Sequence, residues 1–149
     1  MVKVNKIIVC DIDGTIANTE HRKHWVASKP KNWAAWNAGM ANDTVHADIS
    51  LLLDVFHSRG DIIIFCSGRG EETRAVTEKW LATHTVPYKR LYMRAERDYR
   101  KDSIVKVELF DQIRSDFGEP WLWFDDRNQV VDAIRACGVR VLQVAEGNF

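Results

Sequence analysis

The sequence predicts an open α/β sandwich with a mostly parallel sheet, and three observations carry that expectation. Short apolar runs rich in β-branched and aromatic residues recur along the chain; they are continuous rather than alternating; and helical patterns separate them. Continuous apolar runs suit strands buried on both faces, and strands that alternate with helices join through right-handed crossovers that cover both sides of a parallel sheet. Three of the runs end in polar clusters, which matters because ligands on such sheets bind at the carboxyl ends of the strands.

Taken in order, the first strand lies in IIVCDID from Ile7, where an apolar run emerges into Asp11 and Asp13. Residues 16–45 then break the alternation. With Trp25, Trp33, Trp36, Pro30 and several lysines, this stretch lacks strand signals and is expected to insert one or two short helices over the crevice. Ile49, Leu52, Leu53 and Phe56 fall at i, i+3, i+4 and i+7 and make a crossover helix that Gly60 stops. IIIFCSGR from Ile62 is the second strand, and Val76, Trp80 and Leu81 give a helical stripe between Glu71 and His84. RLYMR from Arg90 is a weaker strand signal. Asp102 lies at the start of a further helix, where Lys106, four residues on, shares its face. WLWFDDR from Trp121 is the third long run; Val130, Val131, Ile134 and Cys137 form a stripe closed by Gly138, and VRVLQVA from Val139 is a last strand.

A chain of 149 residues suits a single domain spanning 1–149, since one core serves roughly 100 to 150 residues. Lysines plus arginines and aspartates plus glutamates number 21 each, so zero net charge offers no general attraction to nucleic acid. Local charge must decide. From Lys89 to Lys106 seven basic residues face three acidic ones, a stripe suited either to phosphates or to solvent. Cys10, Cys66 and Cys137 are few, odd in number and set among apolar neighbours, which fits a reducing cytoplasm and no disulfide framework. No run reaches the roughly 20 apolar residues of a membrane span, and the opening MVKVNK leads into a strand rather than a signal peptide.

The clusters DID, SGR and DDR should converge on one crevice. Four carboxylates there, Asp11, Asp13, Asp125 and Asp126, would raise one another's pKa unless a cation neutralised them. An all-oxygen set suits Mg²⁺, which keeps several waters and bridges to substrate phosphates; zinc would prefer His or Cys, and His21 and His24 have no such partners. With Ser67, Arg69 and Lys106 alongside, the parts for phosphoryl transfer are present. A cysteine phosphatase is excluded by spacing, because the position six after Cys66 is Glu72 and not the arginine such a loop requires.

DIDGTIA, FCSGR, Lys106 and FDD resemble, in order, the four signatures of haloacid dehalogenase-like (HAD) phosphatases. DIDGTIANTEHR, CSGR, YRKDSIVKVELF, FDDRNQVVDAIRACGV and QVAEGNF are further similar to the 3′-phosphatase domain of phage-type polynucleotide kinase/phosphatases. The resemblance covers the whole chain. It implies a Rossmannoid three-layer sandwich with a small helical cap after the first strand. It also implies an aspartyl-phosphate on Asp11, with Asp13 as general acid and base. Mg²⁺ would be held by Asp11, the Asp13 carbonyl and the Asp125/Asp126 pair, with Asp126 favoured. Ser67, Gly68 and Lys106 would bind the phosphoryl oxygens. Arg22, Arg69 and Asp102 match supporting positions, and Asp102 is expected to orient Lys106 or Arg69.

No G-x-x-x-x-G-K-[ST] occurs, so the chain carries the phosphatase part without the kinase's phosphate-cradling loop. The expected activity is Mg²⁺-dependent removal of 3′-phosphates from DNA or RNA ends, in the cytoplasm, that of an infected host if the chain is phage-encoded. Two other readings compete: a nucleotidase or small-molecule phosphatase with the tryptophans closing over one base, and a noncatalytic nucleic-acid-binding module. For the tryptophans themselves, the competing expectations are stacking on bases and forming the small core of a cap.

Overall fold

A computed structural model describes residues 4–149. Seven strands and six α-helices follow one another: β1 (Ile7–Cys10), β2 (Ala17–Asn18), α1 (His24–Ala27), α2 (Trp33–Ala38), β3 (Thr44–Val45), α3 (Ala47–Ser58), β4 (Ile62–Gly70), α4 (Arg74–His84), β5 (Arg90–Arg94), α5 (Asp102–Phe117), β6 (Leu122–Asp125), α6 (Asn128–Ala136) and β7 (Val141–Gln143). Five strands form one parallel sheet in the order β5-β4-β1-β6-β7, with Val9 paired to Ile64 on one side and to Trp123 on the other. All five expected strands are present, the weak RLYMR among them. The reading of MVKVNK lies partly outside the described residues.

Strand pleat explains the two cores. Along β1, Ile7 and Val9 join Phe110, Ile113, Trp123 and Ile134 on the face covered by α5 and α6, whereas Ile8 and Cys10 join Leu53, Phe65, Trp80 and Phe124 under α3 and α4. Because both of its faces are covered, β1 is apolar at every position rather than at alternate ones. Chain order moves outward from β1 to β4 and β5 and then crosses back to β6 and β7. The order thus reverses beside β1, the position past whose carboxyl ends such sheets bind their ligands.

Residues 16–45 depart from expectation at their ends. β2 and β3 pair antiparallel, Ala17 with Val45 and Asn18 with Thr44, as a separate two-stranded sheet that closes the base of the insertion. Two-residue strands are too short to show any period, so the sequence gives no sign of them. The insertion also lacks the tryptophan core that one reading expected: Trp25 and Trp33 are exposed, and Trp36 lies against the Arg22 guanidinium, 3.9 Å from its ring centroid. Among the described residues no helix is long and apolar enough to cross a membrane.

Candidate active site

β1 delivers Asp11 one residue past its last pair. The Asp11 amide donates to the Phe124 carbonyl at 2.9 Å, and the chain then turns through Gly14, whose φ of +78° suits glycine. This turn brings Thr15 back, so that its hydroxyl donates to Asp11 Oδ2 at 3.0 Å. Lys106 reaches in from the first turns of α5, fully buried, and donates to Asp11 Oδ1 at 2.8 Å and Asp125 Oδ2 at 3.0 Å.

The Asp125/Asp126 pair divides by its hydrogen bonds. Asp125 accepts from Lys106, from Trp123 Nε1 at 3.3 Å and from the Asp126 and Arg127 amides at 2.9 and 3.2 Å. Asp126 turns instead toward Gly14, where a Cβ would stand 2.1 Å from its Oδ2. Ligand atoms of Asp11, Asp125 and Asp126 all lie within 4.8 Å of one another. Three buried carboxylates around one ammonium are undercompensated, and the titration behaviour reflects it. Burial, then Asp125, pushes Asp11 well above the ordinary carboxylate value, and burial with Asp125 pushes Asp126 up to about 6. Burial works against the Lys106 ammonium, but Asp11 and Asp125 outweigh it and hold its pKa well above the usual value. An oxygen-only, electron-rich pocket with one carboxylate turned from the protein's donors fits a hard divalent cation.

Asp13 faces a different neighbourhood. Its Oδ1 accepts from Arg22 NH2 at 2.8 Å and from Arg69 Nε and NH2 at 3.1 and 2.6 Å. Burial works against the carboxylate, yet Arg69 and then Arg22 outweigh it and hold Asp13 below its ordinary value. Arg69 arrives because β4 bulges between Ser67 and Gly70, which releases Gly68 and Arg69 from pairing with β5. Ser67 is buried and its hydroxyl accepts from the Arg69 amide at 3.1 Å; a Cβ on Gly68 would meet Asp102 Oδ1 at 2.4 Å.

Arg22, a supporting position by resemblance, is 1% exposed and sits between Asp13, Asp43 and Trp36. One expectation needs correction. Asp102 orients neither Lys106 nor Arg69; it takes Arg94 NH2 at 3.1 Å and Arg127 NH1 at 3.5 Å. Helical spacing puts Asp102 and Lys106 on one face, but Lys106 points inward to stronger partners. Arg94 in turn donates to the Gly68, Asp98 and Arg100 carbonyls, and Arg100 pairs with Asp98 and Glu108, so much of the basic stripe is spent within the protein. Cys10 and Cys66 are buried, with thiols pushed up chiefly by burial, as small core residues should be.

Asp43, absent from the sequence reading, holds the arginines together. Fully buried, it accepts from Arg22 Nε and NH2, both at 2.7 Å, and from Arg69 NH2 at 3.1 Å, while His21 Nε2 lies 2.7 Å away. An Asp between Asn42 and Thr44 carries no motif that would mark it.

The geometry accords with the family to which residues 5–149 match, described as the phosphatase domain of polynucleotide kinase PNKP. The chain belongs to this family. It is a phosphatase domain with the HAD hydrolase fold. In the structure described as the Pnkp1/Rnl/Hen1 RNA repair complex, a chain 32% identical superposes with a TM-score of 0.82 over 97% of this chain and 44% of its own length. A protein of Autographa californica nuclear polyhedrosis virus, described as a bifunctional polynucleotide kinase/RNA ligase, is 28% identical over 132 residues, which cover 87% of this chain and 18% of the viral one. The chain therefore spans less than half the length of either relative. A hydrolase from Streptococcus pneumoniae shares the fold alone, at 12% identity and a TM-score of 0.68 over 95% of this chain and 94% of its own.

Proposed function

We propose that the protein removes 3′-phosphates from polynucleotide ends, with Asp11 as nucleophile and Mg²⁺ as cofactor. The observation that carries this reading is the contrast between Asp11 and Asp13. Asp11 sits under Lys106 and Thr15 in a buried pocket where a phosphoryl group meets positive charge, while Asp13, two residues on, presents Oδ2 free of protein donors among the described residues.

In the first step an Asp11 carboxylate oxygen bonds to phosphorus as the bond to the 3′-oxygen breaks, and that oxygen takes a proton from Asp13. In the second, water bonds to phosphorus, gives its proton to Asp13, and the Asp11–phosphorus bond breaks to release inorganic phosphate. Arg22 and Arg69 hold Asp13 on Oδ1, which leaves Oδ2 to carry the proton. They favour the base form that the second step needs, and an incoming phosphate dianion beside Asp13 raises its pKa for the first. Lys106, the Ser67 hydroxyl and the half-buried backbone of Gly68 would surround the phosphoryl oxygens. Asp11, the Asp13 carbonyl and Asp126 would hold Mg²⁺, which supplies charge neutralisation at the transferring phosphoryl group. Asp125, saturated by four donors, orients Lys106 and the turn that carries Asp126. The polynucleotide preference rests on the family and on the relatives' described roles in polynucleotide and RNA repair.

The test is phosphate release, with Mg²⁺ and with EDTA, from 3′-phosphorylated and 5′-phosphorylated oligonucleotides and the two mononucleotides. The 3′-phosphorylated oligonucleotide should react fastest, with Mg²⁺ only, and Asp11→Asn should be inactive. Release from mononucleotides alone would instead make the protein a nucleotidase.

A further inference from the structure

In a chain of zero net charge, the stretch between Glu20 and Asp43 carries Arg22, Lys23, Lys29 and Lys31 and no acidic residue. Arg22 is spent on the site and Lys23 pairs with Glu20. Lys29 and Lys31 have no carboxylate partner among the described residues, and the Lys31 ammonium stands 5.3 Å from the Trp33 ring centroid. Two indoles remain outside any core: Trp25 is 42% exposed, with the His24 ring 4.5 Å away, and Trp33 is 56% exposed. Tryptophan is ordinarily a largely buried residue, so two exposed rings on one short insertion need a partner or a reason.

The position of this face gives one. Trp25 follows Arg22 by three residues, about one helical turn, and Arg22 bonds Asp13 at 2.8 Å while stacking on Trp36. Aromatic rings and unpaired lysines therefore follow directly, along the chain, the arginine that holds the proposed acid/base group. A protein partner would not favour such a surface, because lysine is depleted from protein interfaces. Unpaired bases offer a π-face whatever their identity, and the backbone between them offers the phosphates that lysines neutralise.

We propose that this face of the insertion is a single-strand platform, on which bases next to the terminal phosphate stack against Trp25 and Trp33 while Lys29 and Lys31 take backbone phosphates. The inference rests on the 3′-phosphatase reading and adds what selects a polymer end over a mononucleotide. A duplex end, whose bases already stack on one another, would use the platform poorly.

The test is fluorescence anisotropy of a 5′-labelled, 3′-phosphorylated single-stranded oligonucleotide with the Asp11→Asn protein, which holds the strand without turning it over. Adding Trp25→Ala or Trp33→Ala should weaken binding roughly 5- to 100-fold each, the range of one lost base–aromatic stack. Lys29→Gln with Lys31→Gln should lower the slope of log affinity against log salt by about 1.4, two single-strand phosphate contacts. In the active protein, the two tryptophan changes together should cut kcat/KM for the oligonucleotide relative to nucleoside 3′-monophosphate by about ten-fold or more, and circular dichroism establishes that the variants are folded. Unchanged anisotropy in the folded double variant, an unchanged ratio, or equal affinity for a blunt duplex would overturn the platform. Failure of the 3′-phosphatase reading shows elsewhere, as no phosphate release from the oligonucleotide by the parent chain, and leaves the anisotropy to report on the strand face.

Discussion

Asp126 is where a single residue couples cation binding to stability. Its carboxyl is pushed up to about 6 by burial and by Asp125, from an ordinary value of 3.8. Between those values the folded protein binds the proton that the unfolded chain has released, so stability from this group is complete below about 4 and is lost as pH rises through about 6. Without divalent cation, the melting temperature should fall across that window, and Mg²⁺ should restore it by binding only the folded state. Asp126→Asn should make the profile shallower, Asp11 still contributing to it, and weaken the Mg²⁺ response in the same thermal scans. Asp43 acts differently, since Asp43→Ala leaves two buried guanidiniums with Asp13 as their one shared carboxylate. Breaking such a pair costs about 3–5 kcal/mol, to be read from denaturant unfolding. Both arginines should then draw harder on Asp13, so phosphate release should fall as well.

At the scale of elements, the turn after β1 lies close against the Asp126 side chain and the segment after β7 close against its backbone. Gly14→Ala would place a methyl group 2.1 Å from Asp126 Oδ2 at a φ that side chains rarely adopt. An ångström-scale displacement there should cost roughly 100-fold in kcat, measured against p-nitrophenyl phosphate. Gly147→Ala would bring a Cβ to 1.9 Å from the Asp126 carbonyl, in a segment fixed by the Asn128 amide on the Gly147 carbonyl and by Arg127 Nε on that of Phe149. It should impair Mg²⁺ binding without touching a catalytic side chain, which Mg²⁺ titration of activity would reveal as a raised half-saturation.

Across the whole molecule, one sheet separates two apolar layers that nevertheless share β1, β4, β5 and β6. Leu53→Ala beneath α3 and Phe110→Ala on α5 should therefore each lower the same single unfolding transition, by about 2–5 kcal/mol. Their sum should match the double variant within about 0.5 kcal/mol, because the sheet keeps the sites apart. Differential unfolding by circular dichroism and tryptophan fluorescence checks both points. Zero net charge leaves long-range attraction to a polyanion to local patches, and most cations between Lys89 and Lys106 are committed to internal partners.

What the sequence by itself determined is the part written in local pattern. Five apolar runs specified the strands, carboxylates at their ends marked the crevice, and D-x-D-G-T, S-G-R and D-D named the family and the residues that meet there, because burial forces a polar group to the end of a buried strand. Tertiary structure alone decided the partnerships. Asp43 became the hub for Arg22 and Arg69, Asp102 turned to Arg94 and Arg127, β2 found β3, and two tryptophans of the insertion stayed exposed. The physical reason is that ion pairs and two-residue strands depend on which side chains arrive at one point in space, and residues 22, 43 and 69 share no period, spacing or motif that would announce their meeting.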